Sequence, residues 1–353
     1  MLKGESLTSL IVGFGNSGRA LHLRALLHAR RLCKGDPIFA MSPIVAVDPR
    51  LSAKQRMRDD HTVALFRSLD AVEKIEPAAT VVHVCTPPLT RVETLRVLSR
   101  CGYRRLICEK PVAASLGDLH KMLEIITDNG IDIAVVSPWL SSTLTLRLSG
   151  IVVSGQLGAL RSMRIVQRKP RFTRTRDSVD HPTAFEVEIP HSVGVALYLG
   201  GARATVVDAD ATSMVVDGVE YPHLGGACIR LEHPSGARTT IESDLTAPVR
   251  ERSIELAFER GTVVGHYPVG DDSYSQLDIQ SEDGAQEREI IPDDQLTKMM
   301  IDWYSHFAGL GPRPLSDLRL NVEVTDVVAE AKRAAGIEPV DKLMQPEGIQ
   351  VPS

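Results

Sequence analysis

Apolar positions along this chain follow two regimes, and the change between them falls near residue 137. Residues 9–13 form a short apolar run, residues 17–31 carry apolar side chains at helical spacing, and residues 44–47 form a second run ending at Asp48. The alternation continues with helical spacing over 64–74, a strand run over 80–85, and a helix over 90–101. A strand at 105–108, a helix at 115–129 and a strand at 133–136 complete the series. Apolar strands alternating with amphipathic helices predict a parallel sheet covered on both faces, a doubly wound α/β Rossmann domain over residues 1–137.

Beyond residue 137 one helix is predicted over 144–154, and then a period-two pattern takes over at 162–167, 203–211, 227–233, 238–243 and 254–258. Gly, Pro, Asp and Ser join these runs, so residues 138–353 read as an α+β domain with an open-faced, mostly antiparallel sheet. Two late helical stretches, 294–310 and 317–335, flank Gly311-Pro312-Arg313-Pro314, and at least one is expected to pack back on the first domain.

The 353 residues, 43% hydrophobic and 24% charged, hold enough apolar material for two domains. A net charge of −5 offers no bulk attraction for nucleic acid or anionic membrane, which leaves a small metabolite as the expected partner. The cysteines, Cys33, Cys85, Cys101, Cys108 and Cys228, are odd in number and form no CxxC pair. They read as reduced, buried thiols, which favours the cytoplasm. No leader pattern or membrane-length apolar run is read from the chain.

Chemistry enters at two turns. Gly13-Phe14-Gly15-Asn16-Ser17-Gly18 lies between the first strand and the first helix. There Gly13 permits the tight turn, Gly15 lets backbone approach a pyrophosphate, and Gly18 allows close helix packing. Asp48, ending the second strand, can accept hydrogen bonds from the adenosine ribose and disfavour NADP, which points to NAD; its other reading is a cap on the following turn. The interval from Gly18 to Asp48 is 30 residues, against the usual ~20, and residues 34–43 read as the insertion responsible. Arg50 can pair with a 2′-phosphate and so keeps NADP open.

Four segments resemble the Gfo/Idh/MocA oxidoreductases, the family of glucose-fructose oxidoreductase and inositol dehydrogenase. They are the glycine turn followed by His22, Cys85-Thr86-Pro87-Pro88, Cys108-Glu109-Lys110-Pro111, and Leu157-Gly158-Ala159-Leu160; His191 before Leu197-Tyr198-Leu199-Gly200-Gly201 falls in the same order. The resemblance implies hydride transfer between NAD(P) and a carbon bearing a hydroxyl on a sugar or cyclitol. It also implies a homo-oligomer, dimer or tetramer, formed through the open sheet. By the same resemblance Thr86 and Pro87 line the nicotinamide side of the cofactor site, Glu109 and Lys110 lie beside the reacting carbon, and Pro111 follows a cis peptide bond.

Oxidising an alcohol needs a proton acceptor within reach of the hydroxyl, and Lys110 and His191 are the candidates. Relatives often carry an aspartate four residues before this histidine; here that position is Val187, with Glu186 and Glu188 beside it. In an extended chain these two glutamates would point the same way, and one would contact the substrate or orient His191. Trp139 is a candidate stacking surface for a sugar ring, or else hinge packing. The arginine-rich residues 161–176 read as a solvated edge strand followed by a mobile loop, with a phosphate or nucleotide-sugar binder as the other reading. Asp177, Asp180, Glu186 and Glu188 would instead suit an amino sugar or aminocyclitol. No metal-ligand spacing is present. The leading expectation is therefore an NAD(P)-dependent oxidoreductase acting on a sugar, cyclitol or aminoglycoside-like substrate. An NADP-dependent nucleotide-keto-sugar reductase and a non-catalytic NAD-binding sensor are the alternatives.

Overall fold

In the computed structural model of the chain, the described residues are 6–51, 62–72, 75–177, 181–201, 203–270 and 272–337. Six short apolar strands, β1 (Thr8–Val12), β2 (Ile44–Val47), β3 (Val63–Phe66), β4 (Thr80–Val84), β5 (Arg105–Cys108) and β6 (Asp132–Val135), form one sheet in the order β3-β2-β1-β4-β5-β6. All its pairings are parallel. The order reverses between β1 and β4, the crevice where open α/β sheets bind ligands. Continuous burial along β2 and β4 reflects helices on both faces. Ser17–Leu23 wind as a π-helix that runs on into α1 (Arg24–Leu32), and α2 (Arg91–Arg100) and α3 (Leu116–Asp128) follow their strands.

Over residues 64–72 the expected α-helix is absent, and residues 73–74 lie outside the described residues. Val63–Phe66 pair in parallel register with Ile44–Val47, and a 3-10 turn follows over Leu69–Ala71. The run is too short for periodicity to separate strand from helix, and the backbone hydrogen bonds of the β2 edge decide the matter. The insertion over 34–43 lies along β1, where Leu7 donates to the Ile38 carbonyl, Ala40 donates to that of Leu7, and Ile38 and Phe39 are buried.

After α4 (Thr143–Ser154) comes a second sheet: β7 (Leu160–Arg168), β8 (Thr205–Val216), β9 (Val219–Glu232), β10 (Arg238–Asp244), β11 (Glu251–Phe258), β12 (Gly261–His266), β13 (Tyr274–Ser281) and β14 (Gln286–Pro292). The order is β14-β13-β12-β11-β7-β10-β9-β8, antiparallel throughout except for the β7–β10 pair. Between β7 and β8 lie α5 (Phe172–Asp177) and α6 (Ile189–Gly200). One face of the sheet packs on α6 and on α8 (Leu318–Ala334) through Ile165, Ile229, Ile241, Ile254, Val193 and Val324.

The arginine-rich strand is interior, not an edge. Its outward arginines meet glutamates on flanking strands, with Arg164 bidentate to Glu242 at 2.9 and 2.8 Å and Arg168 bonded to Glu251 at 2.9 Å. The segment after it begins with helix α5. The last strands, β12 to β14, carry patterns that the sequence reading passed over.

Helix α7 (Gln295–Phe307) returns to the first sheet. Met299, Met300, Trp303 and Tyr304 on one of its faces are wholly buried with Leu26, Ile44 and Ala134, and Trp303 Nε1 donates to Ser316 Oγ at 2.7 Å. Replacing Trp303 by Ala should therefore cost about 3–5 kcal/mol in urea-induced unfolding; a cost under ~1 kcal/mol would mean that α7 does not support the first sheet.

Candidate active site

The loops after β1, β2, β4 and β5 converge at the crevice because consecutive strand ends are hydrogen-bonded in step. Gly13 donates to the Val47 carbonyl, Cys85 to Val12, Glu109 to Val84 and Val136 to Cys108. Gly13 has φ +92°, and a Cβ there would lie 2.8 Å from the Cys85 carbonyl group. A Cβ on Gly18 would lie 2.2 Å from the Gly13 carbonyl oxygen. Gly15 by contrast is open, its nearest neighbour being Arg50 Nη2 at 3.7 Å. Two glycines thus serve close backbone approach and the third leaves room, which fits a pyrophosphate resting on the turn. Asn16 makes no side-chain cap and Ser17 opens the helix, so backbone amides there remain for a phosphate.

Asp48 is 4% exposed and accepts from the backbone N–H of Phe14 and of Arg50, both at 2.9 Å. It both fixes its own turn and ties the glycine turn to the end of β2. Arg50 pairs with Asp48 at 3.4 Å, and its largely exposed guanidinium reaches over Gly15. Any helix that Asp48 might cap would begin in residues 52–61, outside the described residues.

The Lys110–Pro111 bond is cis. The loop is stapled by Arg91, whose Nη1 donates to the carbonyls of Glu109, Pro111 and Val112 and whose Nε donates to that of Thr86 at 3.1 Å. One buried guanidinium therefore fixes the Glu109–Lys110 turn against Thr86 and Pro87. Sequence reading missed Arg91; an arginine opening an amphipathic helix usually faces solvent, and nothing in its spacing sets it apart.

Lys110 Nζ donates to the Val187 carbonyl at 2.7 Å, and His191 and Glu188 lie in the same electrostatic environment. The two glutamates do not lie on an extended strand, because residues 184–186 form a 3-10 turn and 187–188 a turn that leads into α6. Glu186 closes a capping box with Thr183 and pairs with Lys332 at 2.6 Å, while Glu188 pairs with Lys169 and faces Arg252. Pro190 opens α6 and His191 follows within its first turn, with Nδ1 buried and free of any hydrogen bond among the described residues. Trp139 is 2% exposed and stacks on Tyr267 at 4.2 Å, with His191 beyond at 6.5 Å. That burial makes it a wall behind His191 and leaves no face for a sugar ring.

Burial lowers the affinity of Lys110 for its proton, aided by Arg171 and Arg174 and opposed by Glu188 and Glu109. Burial, with Lys110 nearby, pushes His191 down to about 3, so its ring is neutral. Burial would raise Glu188, but Lys169, Lys110 and Arg252 outweigh it and hold the carboxyl at about 2. The five cysteines are free, as expected of reduced thiols; only Cys108 is buried, while Cys101 is exposed and the other three are intermediate, so the expected burial is found at one of them. Among the described residues no cluster of His, Cys, Asp or Glu is arranged to hold a metal, and no helix is long and apolar enough to cross a membrane.

These features, a glycine turn at the crevice and a lysine at the end of the next strand but one, define the chain as an NAD(P)-dependent oxidoreductase. Its residues 7–136 match the family described as "Oxidoreductase family, NAD-binding Rossmann fold". It is 22% identical over 243 residues, 67% of each chain, to the uncharacterized oxidoreductase YrbE of Bacillus subtilis. Among solved structures it is similar to a levoglucosan dehydrogenase bound to NADH and levoglucosan, with TM-score 0.73, 16% identity and coverage of 94% of this chain and 97% of that one. A 3-ketoreductase from Actinomadura kijaniata, bound to TDP-benzene and NADP, gives TM-score 0.73 and 14% identity over 93% and 98% of the two chains. An Agrobacterium radiobacter oxidoreductase in complex with NAD+, L-tartaric acid and magnesium gives 0.73 and 16% over 94% and 96%.

The charge pattern has a stability consequence. Below pH 6.5 unfolded His191 takes up a proton that the folded ring refuses until about pH 3, so its contribution disfavours folding as pH falls through that window. Glu188 adds a loss only below 4.5. His191→Gln should thus flatten the stability slope between pH 6.5 and 4.5 by at most ~1.4 kcal/mol per pH unit, read by urea unfolding at each pH; an unchanged slope would place a protonated His191 in the folded protein.

Proposed function

We propose that the chain transfers hydride between NAD(P) and a secondary alcohol or ketone of a sugar, cyclitol or aminoglycoside-like substrate, with NAD preferred. The observation that carries this reading is the Lys110 side chain, held at the end of β5 by the Val187 carbonyl beside His191 and Glu188. When bound, NAD(P) supplies the hydride acceptor or donor. Lys110, whose ammonium form burial disfavours, takes the hydroxyl proton in oxidation and returns it in reduction. Neutral His191, backed by Trp139, offers one ring nitrogen to orient that hydroxyl. Glu188, ionised and paired with Lys169, anchors the substrate side of the site without serving as a base.

Asp48 supports the NAD preference, since its Oδ2, which accepts only the Phe14 N–H, keeps a lone pair for a ribose hydroxyl. A second reading, an NADP-dependent keto-sugar reductase, draws on the Arg50 guanidinium beside Gly15 and on the NADP complex of the 3-ketoreductase neighbour. The same proposal has the chain self-associate, as a dimer or tetramer, through the uncovered face of the second sheet, which light scattering on the purified protein checks.

Calorimetric titration with NADH and NADPH in parallel separates the two cofactor readings: tighter NADH binding supports Asp48 as the ribose ligand, and tighter NADPH binding transfers that role to Arg50. For the chemistry, Lys110→Met should lower turnover across a panel of polyols, anhydrosugars and keto sugars by at least about 100-fold while NADH affinity stays within about twofold. Turnover that survives the substitution would remove Lys110 from the reaction.

A further inference from the structure

The Arg91 staple fixes the backbone from which the Lys110 side chain begins, but the amine lies at the end of a flexible stem and needs a hold of its own. We propose that Lys332, far along the chain on α8, is a positioning residue for Lys110: through Glu186 it sets the two backbone carbonyls on which the Lys110 amine rests. The proposal rests on the reading of Lys110 given above.

The hold passes through one turn. Lys110 Nζ donates to the Val187 carbonyl at 2.7 Å and reaches that of Glu186 at 3.5 Å. Both carbonyls belong to residues 183–188, and the Glu186 side chain shapes that segment from two sides. Its Oε2 accepts from the Thr183 backbone N–H at 3.0 Å and from the Thr183 hydroxyl, while its Oε1 accepts from Lys332 Nζ at 2.6 Å. The Glu186 and Lys332 side chains keep only 14% and 19% of their surface, so water and salt compete weakly for the pair.

Local chemistry leaves the two carbonyls for Lys110. Pro190 has no N–H to give, and His191 donates its own to the Glu188 carbonyl at 3.1 Å. A neutral amine has two N–H bonds and one lone pair. Directing its N–H bonds at the turn leaves the lone pair facing away, free for an incoming hydroxyl. The same turn leads directly into α6, so whatever steadies the carbonyls steadies His191 as well.

Lys332 is in turn fixed from the other end of its helix. Val135 donates to the Ser316 carbonyl at 2.9 Å just before α8, and Ser137 Oγ donates to Asn321 Oδ1 at 2.9 Å within its first turns. Asn321 and Lys332 lie about three turns apart on one face of the helix, with Val324, Val327 and Ala331 buried along the stretch between them. Helix α8 therefore runs from β6, the neighbour of the strand that leads to Lys110, to the turn that receives the Lys110 amine. Without Lys332 the Glu186 side chain is held by Thr183 alone, and the carbonyls lose the contact that ties them to this frame.

Carbon-13 NMR of lysine-labelled full-length protein tests the hold without any substrate. The two ε-methylene protons of Lys110, identified by their loss in Lys110→Met, should have separate shifts while the amine is held. They should merge in Lys332→Met and separate again in Lys332→Arg, which still pairs with Glu186. A merged signal in the wild type, or separate signals in Lys332→Met, would overturn the proposal.

Turnover gives the second readout. Lys332→Met, and Glu186→Gln, whose amide nitrogen must face one of two donors, should each lower kcat for alcohol oxidation by at least about 10-fold. KM should stay within about twofold, as should NADH affinity, which shows that the variants are folded. Because both substitutions act through one turn, the double variant should be no slower than the slower single one, and Lys332→Arg should recover most of the loss. A loss carried by KM, or one that Lys332→Arg leaves in place, would mark a general structural role and overturn the proposal. Wild-type kcat in Lys332→Met, with Lys110→Met inactive, would sink the role of Lys332 alone; an active Lys110→Met would sink the reading of Lys110 beneath it.

Discussion

The close approach of the glycine turn to the backbone at Cys85 and Thr86 is the constraint on which the site depends. A side chain at Gly13 or Gly18 would sit within 3 Å of backbone atoms, so the strand ends could not stay in step. Because they do, each successive loop donates its first backbone N–H to the carbonyl ending the neighbouring strand. Arg91 extends that alignment, spending one guanidinium on four carbonyls around the Glu109–Lys110 turn. The position of Lys110 is therefore set by backbone geometry, and side-chain packing needs only to choose its environment.

That environment is polar, buried and almost entirely paired. Glu188 is ionised because Lys169 and Arg252 face it, and Lys110 loses its proton more readily because burial works against its charge. Such groups cost free energy to bury and are retained where their ionisation is useful. His191 Nδ1, beside Trp139, and Gln167 Oε1 are buried without a partner among the described residues. Buried polar atoms without a partner are uncommon, and this ring nitrogen is the one on which the proposed function draws.

Much of this could be read in advance from the sequence. The parallel sheet, the glycine turn, the place of Lys110 and the return of a late helix all follow from strongly periodic segments or short motifs with a mechanical meaning. The failures share a cause. At residues 63–66 four apolar residues were too few to tell strand from helix, and edge pairing with β2 decided. Glu186 and Glu188 diverge because a capping box bends residues 183–186 into a helical turn. Arg91 and Tyr304 acquire their roles only through partners distant in sequence, which no local pattern encodes.

Tyr304 shows how far such dependence reaches. It lies 221 residues from His83 and 295 from Ser9, yet its buried hydroxyl bonds to both. Helix α7, which carries it, docks through Met299, Met300 and Trp303, so the hydroxyl is in place only when the last part of the chain has closed over the first sheet. A Rossmann fold lacking this helix could retain its glycine turn and its lysine, but His83 would lose the partner that fixes its tautomer. The buried polar contacts of His83 are in this sense a property of the completed fold, made by the segment that closes the first sheet.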